Sequence, residues 1–297
     1  MIESPSITPP QAAVPRGATL RSGLQANPLL AVGGALVLLI VLVAIFAPLL
    51  APWAGDAGTA THPFDVLHAP SASHLFGTDQ VGRDILSRVL FGARVSPLIA
   101  AVVLVIACAV GVPLGVVAGF AGGWVDEAIM RVTDVFLAFP PLLLALALAA
   151  VLPASLTSVT IAIAATWWPW YTRLIRGQAA SVAGRPYVEA CRALGISRLR
   201  IIFRHILPNS VTPLLVQVSL DVGGVILTAS ALSFLGLGAQ DPVPDWGLMI
   251  AEGQSYFTPD WWLVTFPGLA ILLTAFAFNL LGDGLRDLLD PKRSFLR

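Results

Sequence analysis

Lysine is almost missing from this chain. Lys292 stands alone beside sixteen arginines in 297 residues. A Walker-type phosphate loop needs a Gly-Lys-Ser/Thr triplet. Lys292 lies between Pro291 and Arg293, so this chain carries no such nucleotide site. Charge of either sign is also scarce: 11% of residues are charged and 57% are hydrophobic, where an average soluble domain carries about 25% charged residues. That deficit excludes a water-soluble globule of this size and points to a membrane protein. Zero formal net charge leaves no basic footprint for nucleic acid. Cysteine is limited to Cys108 and Cys191, one expected in a span and one on the inner side, so no disulfide framework follows. No catalytic constellation is legible. His62, His68 and His74 recur at steps of six with Asp56 and Asp65 nearby, but such spacing in a loop without cysteine does not define a metal site.

What the chain has is long apolar runs. About 20 such residues cross a hydrocarbon core of about 30 Å. Six candidate spans follow, at 29–52, 97–120, 129–152, 155–177, 211–237 and 262–285. The expected fold class is therefore all-α, a polytopic membrane protein of six transmembrane helices. The first run is longer and starts later than the apolar core of a signal peptide, so it reads as an uncleaved anchor at 29–52 after a polar tail at 1–28. Pro140-Pro141 and Pro169 interrupt the third and fourth spans. Such breaks persist where neighbours or water satisfy the freed backbone groups, which fits either packing around a path or ordinary helix packing. In the second span Gly111, Gly115 and Gly119 recur at i+4, a close-packing pattern.

Orientation follows from the basic residues of the loops. With the N-terminus cytoplasmic, fourteen fall inside, while Arg83, Arg88 and Arg94 fall outside. Both termini are then cytoplasmic, including the tail at 286–297. The remaining outer loop, 238–261, holds Asp241, Asp245, Glu252 and Asp260 and no basic residue. Trp53, Trp124, Trp246, Trp261 and Trp262 fall near span ends, where interfacial aromatics belong. The extracytoplasmic segment 53–96 contains an amphipathic stretch. Ile85, Leu86, Val89 and Leu90 form its apolar face, and Asp84 and Arg88 are placed to pair at i,i+4. It reads as a helix in the outer interface ahead of the second span, serving either as an anchor or in gating and contact with an outer partner.

The longest inner connection, 178–210, contains EACRALGISRLRIIFRHILPN. Pro186 suits a first helical position and Gly195 a C-terminal cap, so PYVEACRAL reads as a short helix. Ser197 can cap a second helix, in which Leu199, Ile202, Phe203 and Ile206 share one face and Arg200 and Arg204 another. That helix is expected to lie at the membrane surface, with Arg198, Arg200 and Arg204 meeting lipid headgroups. Charge alone allows the plainer reading that these arginines only enforce topology.

The spacing adds to this. Glu189-Ala190-x-x-x-x-Gly195, with Leu207-Pro208 twelve and thirteen residues beyond the glycine, resembles the EAA motif of ABC importer permeases. Cys191 and His205 depart mildly from that pattern. FGTDQVGRDILSRVLFGARVS (76–96), GGWVDEAIMRVTDVFLAFP (122–140), LSFLGLGAQDPVPDWG (232–247) and NLLGDGLRDLLDPK (279–292) are similar to segments of dipeptide and oligopeptide ABC importer permeases, specifically the six-span C-type subunit. The resemblance covers about residues 25–292 and implies the type I permease fold, with a core at 97–285.

It also implies a complex: a homologous permease subunit, two ATPase subunits or domains, an extracytoplasmic substrate-binding protein, and membrane lipid around them. No cofactor is implied for this chain, since ATP and Mg would sit on the ATPases. By the same resemblance Glu189, Ala190, Arg192, Ala193, Leu194, Gly195, Leu207 and Pro208 form the ATPase-coupling element, and Asp241, Asp245 and Trp246 are candidates for binding-protein contact. The implied cargo is a peptide, with nickel complexes or another small solute as the alternative. A secondary transporter is the rival of a different class. It requires inverted repeats, and no convincing internal repeat is present. Within the fifth span, Asp221 and Gln217 one turn before it are translocation-path candidates. Asp221 could instead pair with a neighbouring chain or reach water near a span end. Asp134 and Arg131 are expected to pair locally at the inner surface.

Overall fold

A computed structural model of the chain describes residues 27–289. The tail expected at 1–28, apart from its last two residues, and the part of the 286–297 tail beyond Leu289 lie outside the described residues. Among the described residues the protein is helical, and extended pairing is limited to an isolated bridge between Thr78 and Asp84.

Helix α1, Pro28–Leu50, starts where Asn27 accepts hydrogen bonds from the Leu29 and Leu30 amides, with Pro28 supplying a preset first turn. Asn27 Nδ2 also donates to the Gly284 carbonyl at 3.1 Å, which ties the start of the anchor to the last helix. Helix α2, Ile85–Ala121, runs 37 residues without a break. Helix α3, Gly123–Leu137, and α4, Pro141–Val151, meet at Pro140-Pro141 with a bend of 84°. Proline cannot donate to the hydrogen-bond ladder and disfavours helical geometry at the residue before it, so two in succession favour a turn here. Helix α5 is Leu156–Ala183. It is followed by α6, Pro186–Ala193, then α7, Arg198–Ile201, which passes through a π-helical turn at Ile202–Ile206 into α8, Leu207–Phe234. Helix α9 is Trp246–Gly253 and α10 is Trp262–Leu289.

Among the described residues four helices are long and apolar enough to cross a membrane: α1, α2, the continuous Arg198–Phe234 rod and α10. The bent pair α3–α4 makes a fifth if it is one broken span. The expected span at 155–177 is present as α5, which at 28 residues is long enough. Its middle reads TWWPWYT, too polar to qualify by composition.

Two expectations are corrected. The amphipathic stretch at 85–96 is not a separate interfacial helix, because it forms the first turns of α2. The second loop helix likewise does not lie apart from the fifth span but is continuous with it. Each rod of 37 residues is about 55 Å long at 1.5 Å per residue, well beyond a core of about 30 Å. Either rod is thus longer than the hydrocarbon core is thick.

Helices α2 and α5 make the most extensive pairing among the described residues. A Cβ added at Gly111, Gly115 or Gly119 would lie 2.6, 2.6 or 2.4 Å from the carbonyl oxygens of Trp168, Thr172 and Arg176 respectively. Small residues let backbones approach where lipid supplies no hydrophobic drive between helices. The main core lies between α2, α5, α8 and α10, with α9 packed over one end through Trp246 and Met249.

Candidate functional site

The loop between α5 and α8 is built as a rigid appendage. Pro186 opens α6. At its far end the Ile196 amide donates to the Cys191 carbonyl and the Gly195 amide to the Arg192 carbonyl, each at 3.0 Å. That is a Schellman cap, and Gly195 takes the left-handed φ of +74° it requires. Val188 points inward, fully buried with Ile201 and Ile206 against Val116 of α2 and Ile175, Ala179 and Val182 of α5. Seating Val188 there turns Glu189, Ala190, Arg192, Ala193 and Leu194 outward, and Leu194 is 80% exposed. The Arg192 guanidinium lies over the Phe120 ring, 4.9 Å from its centroid. Leu207 is half-buried and Pro208 exposed in the first turn of α8.

The expected apolar stripe of the second loop helix is corrected. Leu199 and Phe203 are 68% and 66% exposed, whereas Ile201 and Ile206 are buried. The π turn is the reason. Its Leu207 amide bonds to the Ile202 carbonyl five residues back, and this wider turn brings residues 201 and 206 to one side. Ser197 occupies the cap position of α7, but its side chain makes no capping bond. His205 Nε2 stands 3.9 Å from Cys191 Sγ, linking α6 to the π turn.

Ion pairs join α3 to α5 beside this loop. Arg176 grips Asp126 with two hydrogen bonds, at 2.9 and 2.6 Å. Arg173 pairs with Asp134, while Arg131 pairs with Glu127 on its own helix at 3.1 Å. The expected Asp134–Arg131 pair is therefore not made. Arg173 reaches Asp134 from the facing helix, and Glu127 is one turn from Arg131.

The two path candidates come together. Gln217 Nε2 donates to Asp221 Oδ1 at 2.9 Å, and the buried Tyr171 hydroxyl donates to Oδ2 at 2.7 Å. Tyr171 comes from α5, and no spacing along the chain points to it as a partner. Gln217 also lines an open cavity of about 390 Å³ with Leu174, Thr212, Val216, Leu220 and Arg286. Asp221 is thus a carboxylate held by neutral donors, one turn along α8 from Gln217.

At the opposite end, three carboxylates converge on Arg83. Its Nε bonds to Asp79 at 2.7 Å, Nη1 to Asp241 at 2.6 Å, and Nη2 approaches Glu252 at 3.8 Å. Burial works against its charge, but the Asp241 and Asp79 carboxylates outweigh this and hold the guanidinium above its ordinary value. Arg88, with a 1% exposed side chain, lies 3.5 Å from Glu252. Burial raises Glu252 while Arg88 and Arg83 pull it down. The expected Asp84–Arg88 side-chain pair is absent. Asp84 instead caps α2 by accepting from the Ser87 amide and hydroxyl, both at 2.8 Å, and contacts His74 Nδ1 at 3.0 Å.

The candidates for outer contact divide. Asp241 keeps a 59% exposed side chain. Asp245 and Trp246 are 1% and 2% exposed, so side-chain contact with a docked protein does not fit them. Asp245 caps α9 through the Leu248 amide and accepts from Ser96 Oγ, each at 3.0 Å. Its carboxyl is raised by burial, and those hydrogen bonds pull it back. Trp246 Nε1 donates to the Val89 carbonyl at 3.0 Å, and buried Trp262 donates to the Thr78 carbonyl at 3.2 Å. Both indoles are interior rather than interfacial. His62 bonds to Asp56 at 2.9 Å, and no group of three or more potential metal ligands occurs among the described residues.

A bundle of apolar helices with a capped loop clamped to its end, and a polar layer inside, defines a multi-pass membrane protein of the permease class. Residues 111–295 match the model of the binding-protein-dependent transport system inner membrane component, and residues 22–70 match the N-terminal transmembrane domain of oligopeptide transport permease C. The chain belongs to the binding-protein-dependent transport system inner membrane component family. It is 47% identical to the probable D,D-dipeptide transport system permease protein of Escherichia coli K12, over 98% of this chain and 96% of the relative. It is 45% identical to a dipeptide transport system permease of Alkalihalophilus pseudofirmus, over 91% and 88%. It is 43% identical to a glutathione transport system permease of Pectobacterium atrosepticum, over 87% and 85%. Its fold is similar to a chain of the inward-facing MetNI methionine ABC transporter, with a TM-score of 0.56 at 14% identity, covering 69% of this chain and 98% of that one.

Proposed function

We propose that this chain is one of two permease subunits in an ATP-driven importer of di- and oligopeptides. It would sit in a bacterial plasma membrane with both termini and the 178–210 loop cytoplasmic. A homologous permease would complete the path, ATPases carrying ATP and Mg would dock on α6, and a binding protein would deliver peptide from outside. The observation that carries this reading is the seating of α6. Val188 anchors it to α2 and α5 while Glu189, Ala190, Ala193 and Leu194 face away from the bundle. A push on that face moves the buried cluster as a unit. Because Arg198–Phe234 is one continuous helix, the displacement reaches the Asp221 layer without passing through a flexible joint. The Arg176–Asp126 pair carries the same motion to α3.

Gln217 and Asp221 belong to the path in this reading, next to the cavity that Gln217 lines. The peptide and glutathione permeases among its relatives support a peptide cargo. Asp241, exposed yet bound to buried Arg83, is the outer residue best placed to meet the binding protein.

The test is uptake of labelled dipeptide into proteoliposomes containing the whole complex. Wild type should accumulate peptide only with ATP, and Glu189→Lys should lose substrate-stimulated ATP hydrolysis and uptake together. Full activity in Glu189→Lys overturns the coupling assignment, and uptake without any ATPase favours a secondary transporter. A nickel chelate or another small solute on the co-purified binding protein overturns the peptide cargo alone.

A further inference from the structure

Arg192 and Arg198 were expected to serve different partners, yet the fold places them around one cavity. Its volume is about 350 Å³, and Phe120, Ala121, Arg192, Ile196, Arg198 and Ile201 line it. Phe120 and Ala121 are the last residues of α2, so the cavity lies where a span leaves the bilayer. Three arginines at this end are matched, Arg131 with Glu127, Arg173 with Asp134 and Arg176 with Asp126; Arg185, Arg200 and Arg204 make no ion pair among the described residues, but they do not line this cavity. Arg192 and Arg198 have no carboxylate partner among the described residues. Arg192 is instead held over the Phe120 ring, a contact that positions a guanidinium without neutralising it.

Two guanidinium groups without carboxylate partners, lining one small cavity, suit the charge and acceptor oxygens of a phosphate group. The flanks decide its source. Val117, one turn before Ala121 on α2, is 44% exposed, and Leu199 and Phe203 stand 68% and 66% exposed next to the arginine-bearing segment. Apolar side chains beside unpaired arginines form the surface that enters a headgroup layer. A soluble phosphate would gain nothing from them.

We propose that this cavity binds the phosphodiester headgroup of an anionic phospholipid in the cytoplasmic leaflet, with its acyl chains running along α2 past Val117. Bound there, the lipid would brace the junction of α6 with α2. The inference rests on the cytoplasmic placement of the loop proposed above, but not on the cargo.

The test uses the complete complex in nanodiscs of phosphatidylcholine with a minor share of phosphatidylglycerol, and counts lipid retained after detergent exchange by native mass spectrometry. Wild type should keep phosphatidylglycerol above its bulk share. Arg192→Gln and Arg198→Gln should each weaken retention about fivefold, and the double variant about thirtyfold. Arg192→Lys with Arg198→Lys should retain part of it, which separates lost charge from misfolding. Arg94→Gln, on α2 but far from the cavity, should behave as wild type. Equal retention by wild type and the double glutamine variant overturns the proposal. Displacement of the lipid by millimolar glycerol phosphate or inorganic phosphate would replace the lipid with a soluble ligand and overturn it too. Loss of ATPase subunits from the double variant with lipid retention unchanged would assign the arginines to the ATPase instead. Failure of Glu189→Lys to uncouple transport leaves this readout untouched, so the two ideas fall separately.

Discussion

Substituting Gly195 isolates one backbone angle in the loop between α5 and α8. Its φ is +74°, and a Cβ built there meets nothing within 4 Å. An alanine at this position therefore collides with no neighbour, and its whole cost is conformational. The left-handed region costs an L-residue about 1–2 kcal/mol. That cost falls on the two bonds of the cap, from Ile196 to the Cys191 carbonyl and from Gly195 to the Arg192 carbonyl, both 3.0 Å. Local opening by this amount speeds amide exchange about five- to thirtyfold. Hydrogen exchange on the assembled complex should show that acceleration in the peptide spanning 190–200 for Gly195→Ala. Gly195→Asn should show less, because asparagine tolerates this conformation. Peptides from α10 should exchange as in wild type. If Gly195→Ala leaves the 190–200 peptide at wild-type rates, the cap does not hold α6 and the rigid-appendage argument fails.

Other substitutions separate packing from charge. Gly115→Ala places a methyl 2.6 Å from the Thr172 carbonyl and 2.9 Å from Ile175 Cβ, and should cost about 1–3 kcal/mol in thermal unfolding of the complex; Gly34→Ala, with nothing within 4 Å, should not destabilise it. Arg83→Ala strands buried Asp79 and should cost about 3–5 kcal/mol, while Asp241→Asn, removing a carboxylate that is 59% exposed, should cost about 1 kcal/mol or less. The hydrogen bond to Asp56 leads the effects that raise His62 above its ordinary 6.5, with burial opposing. A raised folded value means the pair stabilises the loop between α1 and α2 fully below about pH 6.5 and loses that contribution as pH rises through the raised value. His62→Gln should flatten the dependence of melting temperature on pH in that window.

The spans and the loop helix were legible because their signals are local. Apolar length marks a membrane helix, and Pro186 and Gly195 bracket α6 whatever surrounds it. The polar contacts were not legible, because their partners lie far along the chain. Tyr171 and Asp221 are 50 residues apart, Arg83 and Asp241 are 158 apart, and Trp246 meets the Val89 carbonyl across 157 residues. Proximity to span ends therefore misplaced Trp246 and Trp262 at the interface, when their indole N–H groups reach interior carbonyls. The stripe at 199–206 misled for a different reason. Helical periodicity assumes 3.6 residues per turn, and the π turn at 202–206 changes that count exactly where the stripe falls. Pro208 removes the amide that would bond to the Arg204 carbonyl, a cue to broken register that the periodicity did not weigh.

The central claim is that α6 is the face on which an ATPase acts. Ala190→Cys in a Cys108→Ala, Cys191→Ser background places one exposed thiol on that face. Cross-linking it to the ATPase subunit with a short bifunctional reagent, with and without ATP, tests the claim directly. The account predicts a specific permease–ATPase product whose yield changes with nucleotide. Absence of that product in an intact, transport-active complex would contradict it.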